Sequence, residues 1–361
     1  MPIVAHNDLP TFERLRQEGQ TILTPERARH QTIRELHIGV LNMMPDAALA
    51  ATERQFFRLV GESNPFAQFY MHPFTLHELP RGEQAQAHIE HYYDSFEQIR
   101  EGGLDALIIT GANVTHPDLS QEPFWEPLRE VFEWAHENVT AVLCSCLATH
   151  AAMQFRHGQK RSPLPAKRWG VFPHRLLRTD HPLINDVNTL FDVPHSRFNN
   201  ISAEQFRDAG LHVLVESENG EVHLAVSADG FRVVYFQGHP EYDTVSLLKE
   251  YKREVSRYAD GERSDYPPFP DNHFKPREQA ILNEYRLNLD EAREAGHPVP
   301  GFPEQLVAGY IDNTWHDTAE GIVGNWIGLV YQLTHEQRKL PFMDGIDPDN
   351  PLGLEWIRKP D

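Results

Sequence analysis

Cys146 stands where the apolar run Thr140-Ala141-Val142-Leu143-Cys144 passes directly into the helix-forming stretch Leu147 to Phe155. A strand that turns sharply into a helix presents the side chain at the turn above the carboxyl edge of a parallel sheet. The helix N-terminus then faces the sulfur, where unpaired amides and the positive end of the dipole favour the reactive thiolate. The amide of Leu147 is placed to bind an oxyanion. Two blander readings stand beside this one. Cys146 can be a small buried apolar residue, as Cys144 reads within its strand, or half of a metal-binding Cys-x-Cys pair. The second lacks a further ligand pair at zinc-like spacing, so no metal is expected.

The run Val233 to Gln237 ends in Gly238-His239-Pro240-Glu241-Tyr242-Asp243, which places a histidine and a glutamate just beyond another apolar strand. Loops at strand ends of a parallel sheet carry function. His239 is positioned to act as the base for Cys146, and Glu241 to accept a hydrogen bond from the other ring nitrogen, fixing tautomer and orientation. Among 21 histidines, one beside Gly and Pro also reads as an ordinary turn residue. Its weight comes from pairing with the cysteine elbow.

The elements that must position these groups are strand and helix units. Leu36 to Asn42 reads as a strand followed by a helix over Ala47 to Val60, Leu104 to Gly111 as a strand followed by a helix over Phe124 to Asn138, and the cysteine segment repeats the pattern. Repeated units of this kind argue a three-layer α/β/α fold with a mostly parallel sheet. Gly210 to Ser217, Val222 to Ser227 and Phe231 to Gln237 read as strands separated by turns and are expected to extend the sheet with antiparallel members. From Tyr258 the chain is polar and Pro-rich, then helix-forming from Arg277 to Ala295, so 258–313 is expected to be a helical surface insertion toward the C-terminus. Ile322 to Leu333 is an apolar helix that closes the core, residues 1–35 are an N-terminal extension packing on it, and 1–361 is one domain.

With 33 Lys plus Arg against 53 Asp plus Glu, the formal net charge is −20. Such a field repels phosphate backbones and anionic lipid, so neither nucleic acid nor membrane is an expected partner. It also disfavours an anionic substrate unless local Lys and Arg override it. The N-terminus lacks a basic stretch followed by an apolar run, so the expected location is cytoplasmic. The two cysteines are too close to staple any length of chain.

Together these segments resemble the homoserine O-acyltransferase family, the homoserine transsuccinylases of methionine biosynthesis, built on the class I glutamine amidotransferase-like (flavodoxin-like) fold. The resemblance is carried by Leu41-Asn42-Met43-Met44-Pro45, Thr52-Glu53-Arg54-Gln55-Phe56, Ile109-Thr110-Gly111-Ala112, Cys146, Pro194-His195-Ser196-Arg197, Gly238 to Asp243, and Asn325-Trp326. It implies double displacement: Cys146 takes the acyl group from an acyl-CoA, His239 deprotonates the hydroxyl of L-homoserine for attack on the acyl-enzyme, and Glu241 orients His239. It further implies substrate-binding roles for Lys167, Ser196 and Arg253, a homodimer, and no cofactor, acyl-CoA being a substrate. Two positions depart from the family pattern. A lysine that follows Asn-x-Met-Pro is absent, Pro45 being followed by Asp46-Ala47-Ala48. The acyl-choice position, Glu for acetyl and Gly for succinyl transfer, is Thr115. Threonine does not repel a succinyl carboxylate, so succinyl-CoA is the expected donor, with acetyl-CoA as donor or serine as acceptor the alternatives.

The same three residues also suit an amide hydrolase of glutaminase type, and a binding protein with a vestigial triad is a further rival. A transferase needs an acceptor site, which the Pro-His-Ser-Arg and Arg253 matches supply.

Overall fold

The computed structural model describes residues 3–30, 33–63 and 67–358. Eleven strands among them form one sheet: β1 Ile3–Val4, β2 Ile22–Leu23, β3 Glu35–Leu41, β4 Gln68–Phe74, β5 Ala106–Ile109, β6 Ala141–Ser145, β7 Ser162–Leu176, β8 Leu190–Asn200, β9 His212–Ser217, β10 Val222–Val226 and β11 Val233–Phe236. Their spatial order is β2-β1-β4-β3-β5-β6-β11-β10-β9-β7-β8. The helices are α1 Pro10–Gln17, α2 Pro25–Arg29, α3 Asp46–Ser63, α4 Glu83–Tyr92, α5 Phe96–Gly102, α6 Trp125–Asn138, α7 Leu147–His157, α8 Ala203–Asp208, α9 Ser246–Ala259, α10 Pro276–Ala295, α11 Glu304–Ala308 and α12 His316–Leu333.

Period-2 alternation sorts the central strands onto two faces. Leu36, Ile38 and Val40, Ala106 and Ile108, Ala141 and Leu143, and Val234 and Phe236 pack with α1, α3 and α12 in one core. Leu41, Leu107 and Ile109, Val142 and Cys144, and Val233 and Tyr235 pack with α6, α7 and α8 in another. The strands are thus buried on both faces, which is why they read as continuous apolar runs rather than alternating ones. The fold is a three-layer α/β/α sandwich. β11 departs from the expected arrangement: it pairs parallel with β6, in register Val233 to Val142 and Phe236 to Ser145, and antiparallel pairing begins on its other side with β10 and continues through β9, β7 and β8. That parallel pairing brings the carboxyl ends of β6 and β11 side by side.

The sequence reading assigned no strand to the β7–β8 hairpin. Pro163, Pro165 and Pro173 and the charged Lys167, Arg168 and Arg175 break the apolar pattern along β7, yet it pairs with β8 from Ser162 to Arg175 and with β9 beyond His174. Segment 258–313 carries α10 and α11 and has an apolar cluster of its own. Phe274, Leu282, Tyr285, Leu289 and Val307 close over Leu248, Tyr251 and Val255 of α9 and Trp169 and Val171 of β7. The described N-terminal residues join the sheet as β1 and β2, with α1 packed on α3.

α12 lies along α3, with Trp326 fully buried and Asn325 donating to the carbonyls of Leu183 and Asn185 at 3.1 and 2.8 Å. Close approach of the helices falls at Gly324, where an added Cβ would stand 2.5 Å from the Ser63 carbonyl oxygen, whereas a Cβ on Gly328 would meet nothing within 4 Å. Overpacking costs about 1–3 kcal/mol and exceeds the gain of about 1 kcal/mol from replacing a helical glycine with alanine. Gly324→Ala should therefore lower the thermal midpoint, and Gly328→Ala should hold or raise it. Equal midpoints for the two variants would contradict this packing.

Candidate active site

Cys146 is the N-terminal boundary residue of α7, with φ 54° and ψ −109°. A non-glycine residue there is strained and persists only where its surroundings hold it. The Cys146 amide donates to the Phe236 carbonyl at 2.8 Å, and the Thr149 hydroxyl is within 3.0 Å of the Cys144 carbonyl and 2.8 Å of that of Phe236. One turn of α7 is thereby clamped onto β6 and β11 together. His150 adds a second tie, its Nε2 hydrogen-bonded at 3.0 Å to Gln237 Oε1, while the Gln237 amide donates to the carbonyls of Ile201 and Val222. Neither Thr149 nor Gln237 stood out in the sequence, because a buried polar tie looks like any helix or strand residue until its partner is known.

Cys144 is fully buried, and burial pushes its thiol up to about 12, where it stays protonated. Cys146 is partly exposed.

His239 leaves the end of β11 beside the elbow. Its Nδ1 lies 2.8 Å from Glu241 Oε1, and both residues are buried. Nε2 is buried without a strictly aligned partner, and the Cys146 sulfur acts on the same ring. Burial pulls the imidazole pKa down, but the Glu241 carboxylate and the Cys146 thiolate, through charge and hydrogen bonding, push it up to about 10. The charged ring is thus retained through neutral pH. Gly238 is needed for close approach: an added Cβ would stand 2.4 Å from Val193 Cγ1 and 2.7 Å from His223 Nδ1. The His239 amide donates to the Pro194 carbonyl at 2.9 Å, which docks the Gly238–Glu241 loop on the Pro-His-Ser-Arg segment of β8. Asp243 pairs with Arg54 and Arg58 of α3, joining the helix that carries the Thr52–Phe56 motif to the Gly238–Asp243 motif.

Lys167 and Ser196 meet at Glu250 of α9, a residue the sequence reading missed. Lys167 Nζ donates to Glu250 Oε2 at 3.0 Å, Ser196 Oγ to the same oxygen at 2.7 Å, and Tyr242 Oη to Oε1 at 2.6 Å. Burial raises the Glu250 pKa, yet the Lys167 charge and these donors lower it on balance, so the carboxylate stays ionised. Tyr242 also stacks on His239 at 4.2 Å between centroids, linking the cluster to the triad. Arg253, one turn beyond Glu250, is not drawn in: its side chain is 54% exposed and its nearest carboxylate is Glu254 at 3.6 Å.

Gly111 borders Cys146, an added Cβ there lying 3.7 Å from Cys146 Cβ and 3.5 Å from Met44 Sδ. The loop beyond is held by the buried Glu122, which accepts the amides of Thr115 and His116 at 2.7 and 2.6 Å, and Thr115 itself is exposed. Where the expected lysine is absent, Asp46 opens α3, and Arg81 donates to the Met44 and Asn42 carbonyls at 2.5 and 3.3 Å, holding the Met-Met-Pro loop in place. Among the described residues no group of three or more His, Cys, Asp or Glu side chains is arranged to hold a metal ion, and no helix is long and apolar enough to cross a membrane.

A family model described as homoserine O-succinyltransferase matches residues 2–336. The chain is 71% identical over 354 residues to a homoserine O-succinyltransferase of Allochromatium vinosum, covering 98% of this chain and 99% of that one. Identity to a homoserine O-succinyltransferase of Nitrosococcus oceani is 64% over 354 residues, with 98% and 99% covered. Among solved structures, a glutamine amidotransferase from Thermotoga maritima matches with a TM-score of 0.47 and 10% identity, over 82% of this chain and 98% of that one.

The two cysteines differ enough in exposure for a direct chemical test. Iodoacetamide at pH 7 should add one carbamidomethyl group to the folded protein, at Cys146, with none added to Cys146→Ser. Glu241→Gln should slow that labelling by roughly tenfold, the effect of one pKa unit lost from the partner imidazole. Peptide mass mapping that found Cys144 labelled as fast as Cys146 would contradict the site.

Proposed function

The chain belongs to the homoserine O-succinyltransferase family and is an acyltransferase, and from that premise we propose that it transfers a succinyl group from succinyl-CoA to the hydroxyl of L-homoserine through a Cys146 acyl-enzyme. The reading is carried by the buried His239–Glu241 pair, 2.8 Å between Nδ1 and Oε1, set beside a strained Cys146 at a helix N-terminus.

In the first half-reaction the Cys146 thiolate attacks the thioester carbonyl, and the tetrahedral oxyanion is held by the Leu147 amide and by backbone of the Gly111 loop. The C–S bond to CoA breaks, and the His239 imidazolium gives the leaving thiolate its proton. In the second, neutral His239 takes the proton of the homoserine hydroxyl as its oxygen attacks the acyl-cysteine. Collapse releases O-succinyl-L-homoserine and restores the Cys146 thiolate beside protonated His239. Homoserine is placed with its ammonium toward Glu250 and its carboxylate toward Lys167 and Arg253, Ser196 completing the polar shell. Glu250 and Arg253 are three residues apart on α9 and so share a helix face. Glu250 has four lone-pair positions in principle and three donors at present, which leaves room for one more.

Intact-mass measurement after mixing with succinyl-CoA tests the reading. Wild type should gain one succinyl group, homoserine should discharge it, and Cys146→Ala should neither charge nor release CoA, losing at least about a thousandfold in kcat. Glu250→Gln should raise KM for homoserine by roughly tenfold or more while leaving acylation by the donor nearly unchanged. Charging by acetyl-CoA in preference would overturn the donor, discharge by serine as fast as by homoserine would overturn the acceptor, and CoA release that needs no acceptor would favour a hydrolase.

A further inference from the structure

A succinyl donor carries a free carboxylate two methylene groups from the reacting carbonyl, and in a chain of net charge −20 that anion needs a local cation. Most cations around the site are already matched. Lys160 pairs with Asp118 at 2.6 Å, Lys167 with Glu250 at 3.0 Å, and Arg168 with Glu221 at 2.5 Å. Arg197 is sealed at 3% exposure and shares Glu221 at 3.5 Å.

Arg161, at the entrance to β7, is different. Its Nη2 donates to the His116 carbonyl at 2.8 Å and its Nε to the Pro117 carbonyl at 3.3 Å. Among the described residues no carboxylate pairs with it, and it is half-buried. One edge of the guanidinium is therefore fixed by neutral acceptors, and Nη1 with the remaining Nη2 hydrogen forms a fork aimed elsewhere. The carbonyls that fix it belong to the loop that starts at Gly111 against Cys146 and carries Thr115. That loop is rigid: Glu122 holds the Thr115 and His116 amides, and Gln154 of α7 donates to Asp118 at 2.6 Å.

From this geometry we infer that Arg161 is the specificity-determining residue that receives the free carboxylate of the acyl group, as a bidentate partner held on the loop beside the nucleophile. The inference rests on the succinyl reading above. Burial pulls the Arg161 pKa down while the charges of Glu122 and Cys146 push it back, so the guanidinium lies within electrostatic reach of the reacting sulfur. An acyl chain attached at Cys146 thus has a cation to extend toward, and an acyl chain that ends in a methyl group gains nothing from it.

Butyryl-CoA is the control donor, since it matches the succinyl chain in length and lacks the carboxylate. In Arg161→Gln the ratio of kcat/KM for succinyl-CoA over butyryl-CoA should fall roughly ten- to hundredfold, the range for a lost hydrogen bond to a charged group. Arg161→Lys, which keeps the charge but not the fork, should fall by less, and it serves alone if the glutamine variant does not fold. An unchanged ratio overturns the inference, and so does an equal loss with both donors, which would make Arg161 a scaffold for the loop or a contact for the CoA phosphates. Wild-type protein that turns over no succinyl-CoA would instead sink the functional reading itself, and the role of Arg161 with it.

Discussion

The arrangement depends on one hydrogen bond and the pairing behind it: the Cys146 amide donating to the Phe236 carbonyl at the ends of parallel β6 and β11. Parallel pairing fixes which residues leave the sheet together. Ser145 is opposite Phe236, so the next residue on one strand is Cys146, and His239 follows shortly after on the other. The positive φ of Cys146 runs against the intrinsic preference of an L-residue by about 1–3 kcal/mol. Thr149 offsets that cost by binding both strand-end carbonyls, so the turn cannot relax without opening the β6–β11 edge. Rigidity of the Cys146 turn is therefore a property of the sheet rather than of the loop.

A second constraint is charge. The global field opposes an anionic substrate, and the local answer is a set of carboxylates and cations that largely neutralise one another before any substrate arrives. Glu250 gathers Lys167, Ser196 and Tyr242, and Asp243 gathers Arg54 and Arg58. Such pairs are costly to bury and costly to break, so they serve better as fixed geometry than as a source of stability. On the proposed reading, a substrate ammonium or carboxylate entering this network would exchange partners instead of uncovering a bare charge. Arg161 stands outside the exchange because carbonyls, not carboxylates, hold it.

Sequence reasoning reached the elements whose signals are local. Buried parallel strands such as Ala106–Ile109 and Ala141–Ser145 are short apolar runs, and an elbow cysteine between strand and helix is visible without tertiary information. His239 and Glu241 were legible because the strand before them is apolar and the loop after them polar. The β7–β8 hairpin was not, since its prolines and charges are tolerated by long pairing with β8 and by Trp169 and Val171 packing on α9 and α10. Glu250 was hidden for a related reason: on an amphipathic helix a glutamate turned toward a polar pocket has the same pattern as one turned toward solvent. Arg253 is a motif match on the same helix whose side chain stays outside the Glu250 cluster, half-exposed beside Glu254.

The histidines around the site show how little separates a neutral buried ring from a charged one. His195 and His223 are as deeply buried as His239, and for them burial, reinforced by neighbouring Arg197 and other imidazoles, drives the pKa well below its ordinary value. They remain neutral and pack beneath Gly238, His195 also hydrogen-bonded to His174 at 3.2 Å. His239 starts from the same desolvation penalty and ends with its pKa raised, because Glu241 and Cys146 surround it with negative charge. The positive charge on His239 in turn helps to keep His223 neutral. A single carboxylate placed two residues beyond the ring therefore divides one buried histidine cluster into a charged ring, set beside the strained Cys146, and its uncharged support.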